Sequence, residues 1–176
     1  VANLALFLIP LVAAGYILVY RASPRSVAIA AVFGWLYMPL LRFDVPGLPM
    51  IDKESLLGAA LFFGVYMGRP TGRGVRLRWF DWPLVAWCLS SSFASLSNDL
   101  GMLDAISGAL RGLLQFGAPY AAGRMVFVDA PALVEFGRAM VAGAASYAPL
   151  CLIESRLAPR LQGAALAWLN ERTQPL

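Results

Sequence analysis

The sequence contains no histidine, two cysteines and a single lysine among its 176 residues. Histidine is the commonest general base and metal ligand, so its absence argues against zinc, haem and Ser-His-Asp sites here. We therefore predict no metal site and no cofactor. Cys88 and Cys151 lie within apolar segments, which favours buried free thiols over a disulfide.

Charged residues are scarce as well, at 14% of the chain against about 25% in soluble domains. Hydrophobic residues make up 60%, and they are concentrated in long apolar segments. Six such segments follow one another: Val1–Tyr20, Ser26–Leu41, Ser55–Met67, Pro83–Ser97, Ala105–Ala122 and Ala139–Ile153. At about 1.5 Å per residue, the first is about 30 Å long as a helix, the thickness of a membrane's hydrocarbon core.

A soluble domain can bury one segment of this kind, but not six. The sequence therefore predicts an all-α, polytopic transmembrane helix bundle with about six membrane-spanning helices. We expect this bundle to occupy residues 1–162, with an amphipathic or disordered tail at 163–176. The formal net charge of +4 comes from cations in the short links between segments, which favours membrane lipids as partners and argues against nucleic acid.

The distribution of arginine predicts an orientation in the membrane. The link Gly68–Arg78 contains four arginines and no acidic residue, and Arg21 and Arg124 lie in links on the same predicted side. By the positive-inside rule, that side faces the cytoplasm. The links that contain Pro46, Asp99 and Arg156 then face the opposite side.

Arg111 is a candidate functional residue because it lies within an apolar segment. A charged side chain in a span costs at least about 2.5–3.5 kcal/mol and usually faces a cavity or a partner. In one interpretation, Arg111 contacts an anionic head group or a pyrophosphate. In the other, the helix starts later, near Gly108, and the guanidinium extends to the membrane interface.

Arg156 and Arg160 form a second candidate site, beside Pro159, which we expect to break the helix. Two guanidinium groups four residues apart can hold a diphosphate through bidentate hydrogen bonds. The alternative is an ordinary collar of charge at the end of a span. Asp44 and Asp52 are candidate acids or bases, but carboxylates in a proline-rich link are more often turn residues.

Glycines within the apolar segments have a simpler interpretation as sites of close helix packing. Gly58, Gly64, Gly108, Gly112 and Gly143 belong to this set. No Walker loop or dinucleotide fingerprint accompanies them.

Three stretches, taken in order, resemble the N-terminal half of bacterial O-antigen ligase/polymerase-like membrane proteins. They are Leu48–Lys53, Ala118–Arg124 and Ala148–Gln162, and the resemblance covers Ala2 to Gln162. Where the family often has a Ser-Pro and a Leu-His pair, this chain has Ala158-Pro159 and Leu161-Gln162. No further similarity follows Gln162.

The resemblance implies a multi-pass inner-membrane glycosyltransferase that ligates or polymerises polyprenyl-diphosphate-linked glycan, as in lipopolysaccharide or exopolysaccharide synthesis, at the periplasmic face. The family's key Arg and His residues lie in a periplasmic loop of the second half. We therefore expect this chain to be the N-terminal half of a larger protein and to be inactive alone, with no catalytic residue assigned.

Within this chain, the candidates for binding the lipid diphosphate are Arg42, Arg111, Arg156 and Arg160. Arginine suits this role because the leaving diphosphate develops charge that must be stabilised outside the cytoplasm. Two other functions are open: a transporter or flippase subunit, and a membrane scaffold without chemistry. The oligomeric state is open as well.

Overall fold

The computed structural model describes residues 2–38, 42–43, 51–68 and 78–173. This part of the chain is all-α, as predicted, apart from one antiparallel ladder of two short strands, β1 (Arg42–Phe43) and β2 (Ile51–Asp52). The helices are α1 (Ala2–Val19), α2 (Pro24–Tyr37), α3 (Lys53–Gly68), α4 (Trp82–Ser97), α5 (Met102–Gly112), α6 (Ala118–Val126) and α7 (Ala130–Thr173).

The first four helices lie close to the first four predicted segments. Pro24 ends the first segment in the sequence prediction, and in the structure it is the first residue of α2, where a missing N–H costs nothing. The side chain of Ser23 caps this helix by accepting a hydrogen bond from the N–H of Ser26. Helix α2 ends at Tyr37, before the predicted Leu41, because Met38 precedes a proline and adopts an extended conformation.

In the structure, the helix at the fifth predicted segment is longer than the predicted Ala105–Ala122. Its hydrogen-bond pattern changes in the middle. Helices α5 and α6 are joined by a π-turn, Leu113–Gly117, so that helical structure extends from Met102 to Val126. Pro119 lies inside this helical stretch, which ends at Val126, four residues beyond the predicted Ala122. It lies in the first turn of α6, directly after the π-turn, where proline is tolerated.

The sixth predicted segment, Ala139–Ile153, lies within the much longer helix α7. This helix begins at Ala130, and the carboxylate of Asp129 accepts a hydrogen bond of 2.9 Å from the N–H of Ala132. The predicted break at Pro159 is wrong, since α7 passes through it and ends at Thr173. A proline removes one helical hydrogen bond, at about 3 kcal/mol, and the neighbouring Ala, Leu and Arg residues favour helix.

The chain divides into two compact units, residues Val1–Met140 and Val141–Leu176. The core of the first unit contains side chains from α1, α2, α3 and α6: Ala13, Ile17, Val27, Ala30, Leu57, Leu61, Val65, Ala122, Met125 and Val126. The second unit contains the C-terminal part of α7.

Glycines permit the closest helix contacts in the first unit, as the sequence predicted. A Cβ atom at Gly58 would overlap the carbonyl oxygen of Leu114, so α3 approaches the backbone of the π-turn directly. A Cβ at Gly112 would overlap the carbonyl oxygen of Cys88 in the same way. Ser92 adds a hydrogen bond of 2.7 Å from its hydroxyl to the carbonyl of Ala105, which joins α4 to α5.

Within the described residues, one helical stretch, Ala130–Arg156, is long and apolar enough to cross a membrane by length and composition. Phe7–Val19 is a shorter apolar helix. Both cysteines are free thiols; Cys88 is buried as predicted, whereas Cys151 is exposed on α7.

Candidate functional site

Asp52 lies at the start of α3 and is almost entirely buried, with 8% of its side chain exposed. Its Oδ1 accepts a hydrogen bond of 2.9 Å from the backbone N–H of Ser55. This contact is that of an N-cap residue, which satisfies one of the free N–H groups in the first helical turn. Asp52 therefore caps α3, whereas the sequence analysis favoured a turn residue.

The other oxygen of Asp52 binds Arg111, which lies 59 positions away in the sequence. Arg111 donates to Oδ2 through Nη2 at 2.7 Å and through Nε at 3.2 Å. Burial raises the pKa of Asp52, but the hydrogen bonds from Ser55 and Arg111 outweigh it and hold the pKa below its ordinary value. The carboxylate is therefore ionised at neutral pH.

Neighbouring polar residues extend this contact around the start of α3. Glu54, in the first turn of α3, accepts a hydrogen bond from the side-chain amide of Gln115 in the π-turn. Lys53 donates to the carbonyl of Trp35 at 3.4 Å, and its ammonium nitrogen lies 5.4 Å from the centre of that indole ring. The backbone of Arg42 pairs with that of Asp52 in the β-ladder.

We call Arg42, Asp52, Lys53, Glu54, Arg111 and Gln115 the Asp52 cluster. Its described side chains place two cations, Lys53 and Arg111, and two carboxylates, Asp52 and Glu54, around the N-terminus of a helix, where the helix dipole also favours an anion. The formal charges of these four groups cancel, and Arg111 is held by an internal carboxylate. The arrangement can bind an anionic group at the cations.

A second buried contact, which the sequence analysis missed, joins the start of α4 to the end of α6. Asp81 has 1% relative exposure and accepts hydrogen bonds from Tyr120, from Arg124 and, at 2.6 Å, from the backbone N–H of Arg78. The bond from Arg78 is the main cause that holds the pKa of Asp81 below its ordinary value, and Tyr120 adds to it. The guanidinium carbon of Arg124 also lies 5.0 Å from the centre of the Phe80 ring.

We call Asp81, Tyr120 and Arg124 the Asp81 cluster. Two signals in the sequence could have indicated it. Asp81 is an isolated carboxylate within an aromatic stretch, and Tyr120 and Arg124 are four positions apart, on one face of a helix.

The four predicted phosphate-binding arginines are divided between the two units, two in each. Arg111 and the backbone of Arg42 both lie at Asp52. Arg156 is exposed on α7, in the second unit, and the backbone of Arg160 lies in the same helix. Asp44 and the arginines at 69–77 lie outside the described residues. Among the described residues, no group of three His, Cys, Asp or Glu side chains could hold a metal ion.

No match to this chain was found among protein-family models, curated proteins or solved structures. The family resemblance therefore rests on three stretches of sequence and stays a hypothesis. Two of those stretches contribute residues to the polar clusters: Asp52 and Lys53 come from the first, and Tyr120 and Arg124 from the second.

Proposed function

We propose that this chain is a multi-pass inner-membrane protein, with about six spans, that forms the N-terminal half of a glycosyltransferase acting on polyprenyl-diphosphate-linked glycan. In this proposal, the Asp52 cluster faces the periplasm and contacts the lipid diphosphate. The observation that carries the proposal is the ion pair between Arg111 and Asp52, beside the backbone of Arg42, on the side that the charge pattern assigns to the periplasm.

The outer surface of the described helices supports a membrane location. Large apolar side chains are widely exposed on it, among them Val19, Phe93, Leu103 and Val141, and Trp79 is 84% exposed. Soluble monomers rarely expose large contiguous apolar patches, whereas lipid-facing helices do so along their length.

The Asp81 cluster agrees with the proposed orientation. Asp81 precedes α4, and Arg124 lies in the last turn of α6. The charge pattern of the sequence assigns both ends to the cytoplasmic side, and the two residues are in direct contact. A topology with these two ends on opposite sides of a membrane is incompatible with that ion pair.

Single-cysteine labelling tests this topology directly. In a variant without Cys88 and Cys151, a cysteine at Asn98 should react with an impermeant maleimide added to intact spheroplasts. A cysteine at Thr71 should react only after the membrane is opened. Labelling of Thr71 from the outside would contradict the proposed orientation.

The proposed chemistry requires cations that can hold a diphosphate as its negative charge develops. Arg111 is well prepared for this because Asp52 fixes its guanidinium in place through two hydrogen bonds. Asp52 uses two of the five N–H donors of this guanidinium, and a phosphate oxygen can bind the others. Arg156 and Arg160 lie on the same predicted side of the membrane.

One observation favours the transporter or flippase alternative. The π-turn interrupts the helix Met102–Val126 near its middle, and interrupted helices commonly form the binding sites of transporters. A transporter moves the lipid-linked glycan without changing it, so the transfer assay below separates the two functions.

The decisive experiment measures glycan transfer in membranes that contain the intact protein at matched expression. Arg42→Lys and Arg156→Lys keep the positive charge but lose the bidentate guanidinium, so we expect transfer to fall about tenfold in each. Arg138→Lys is the matched control, because Arg138 is 72% exposed and pairs with Glu135 one helical turn away. Equal activity in all three variants would contradict a role in binding the diphosphate.

A further inference from the structure

A cavity of about 480 Å³ lies in the first unit, between α3, α4, the π-turn and α6. Small residues leave this space unfilled: Ala59, Gly117, Ala118 and Ala121 all line it. A water molecule occupies only about 30 Å³, and protein interiors rarely contain voids much larger than that. Ligand-binding pockets have volumes of about 300–1,000 Å³, so this space has the size of a binding site.

The wall of the cavity is almost entirely hydrocarbon. Its side chains include Phe62, Leu84 and Val85. Asp81 and Tyr120 also line it, but their polar atoms bind each other within the Asp81 cluster. A polar ligand would lose its hydrogen bonds to water without replacement, so the wall favours an apolar ligand.

The mouth of the cavity opens onto an apolar surface. Phe63 and Leu113 line the cavity and are also 53% and 45% exposed, so they lie at its rim. Next to the lining residues Cys88 and Gly117 in the chain, the exposed rings of Trp87 and Phe116 contact each other with centres 6.4 Å apart. In the membrane location proposed above, the medium at this surface is the hydrocarbon of the bilayer.

We propose that this cavity binds one acyl chain of a membrane phospholipid. Phospholipid chains are by far the most abundant apolar chains at such a surface, and occupancy follows concentration. In the described part of the chain, the residues that line the wall offer no free polar partner for a head group, so only the chain enters. This inference rests on the membrane location in the proposed function, but not on glycan transfer.

Photolabelling of the purified full-length chain in detergent tests the inference. The probe is phosphatidylcholine with a diazirine on one acyl chain, and labelled peptides are identified by mass spectrometry. We expect saturable adducts on the segments that contain Phe62 and Leu84. Unlabelled phosphatidylcholine should compete for them.

Two variants distinguish the cavity from the general lipid-facing surface. Ala121→Phe places a ring in the cavity, and we expect it to reduce saturable labelling about tenfold. Ala86→Phe is the matched control, because Ala86 is exposed on α4 and does not line the cavity. Circular dichroism and size-exclusion chromatography verify that both variants retain the helical fold.

Three results would overturn the inference: unsaturable labelling, equal labelling of the two variants, or displacement by polyprenyl phosphate alone. The last would identify the cavity as a site for the isoprenoid substrate instead. If Ala121→Phe unfolds, Ala59→Leu replaces it as a smaller filling of the same cavity. Because this assay involves no glycan, it can fail while the transfer experiment succeeds, and the reverse also holds.

Discussion

The carboxylate of Asp52 makes two contacts that single substitutions can separate. One oxygen caps α3 through Ser55, and the other pairs with Arg111. An N-cap contributes about 1 kcal/mol to the free energy of unfolding, and asparagine caps a helix nearly as well as aspartate. Asp52→Asn therefore removes mainly the ion pair, whereas Asp52→Ala removes both contacts.

The expected magnitude follows from the burial of the two partners. The side chain of Asp52 is 8% exposed, but that of Arg111 is 35% exposed. Exposed pairs contribute about 0.2–1 kcal/mol, and the loss of one partner from a fully buried pair costs about 3–5 kcal/mol. Because Arg111 is partly solvated, we expect this pair to resemble an exposed pair and to contribute about 1 kcal/mol to the free energy of unfolding. We expect losses of about 1 kcal/mol for Asp52→Asn and about 2 kcal/mol for Asp52→Ala.

Urea unfolding of the purified chain in detergent micelles, followed by circular dichroism, measures these losses. A double-mutant cycle of Asp52→Asn with Arg111→Met isolates the pair, and we expect a coupling energy of about 1 kcal/mol. A coupling energy of zero would show that the ion pair does not stabilise the fold. Equal losses for Asp52→Asn and Asp52→Ala would instead refute the capping role.

The same pair predicts a dependence of stability on pH. The pKa of Asp52 is lower in the folded chain than its ordinary value of 3.8, so folding favours the ionised carboxylate. The stability that this contributes is present above about pH 4 and is lost as the pH falls through the folded pKa. The difference in stability between wild type and Asp52→Asn should therefore be constant near neutral pH and shrink in acid. A difference that grows in acid would contradict this assignment.

Two further predictions concern packing and the Asp81 cluster. Gly58→Ala should lower the free energy of unfolding by at least about 1–3 kcal/mol, because its Cβ would overlap the backbone of the π-turn. In the same urea assay, Gly15→Ala has open space around the new Cβ and should be neutral or slightly stabilising; similar losses in both would argue against the close contact. Tyr120→Phe removes a hydroxyl that donates to Asp81 and should lower the midpoint of thermal unfolding. The exposed Tyr66→Phe should leave that midpoint unchanged, and equal shifts in the two variants would show that the hydroxyl of Tyr120 has no special role.

The sequence predicted helix locations well because long apolar runs have a simple physical meaning. Helices α1, α3 and α4 lie within a few residues of the predicted segments. The effect of each proline was harder to predict, since a proline can stop a helix, start one or lie inside one. Pro24 starts α2 and Pro159 lies inside α7, and only the surrounding hydrogen bonds distinguish these cases.

The candidate site was predictable only in part. Arg111 was identified because a charge in an apolar segment must have a partner or a cavity, and the structure supplies a partner in Asp52. The identity of that partner was beyond the sequence, because 59 positions separate the two residues and several acids were equally available. The π-turn could not be predicted from the sequence either, since a local change in hydrogen-bond pattern has no signature in composition.

The π-turn fixes the direction in which half of a helix faces. Successive residues of an α-helix are about 100° apart around its axis, and a π-turn accommodates one additional residue per turn. If Leu113–Gly117 were regular α-helix with the same number of residues, everything beyond it would be rotated by about 100°. Arg111 would still face Asp52, while Tyr120 and Arg124 would turn away from Asp81. The wider hydrogen-bond pattern of one turn thus lets one helix bind Asp52 near its start and Asp81 near its end.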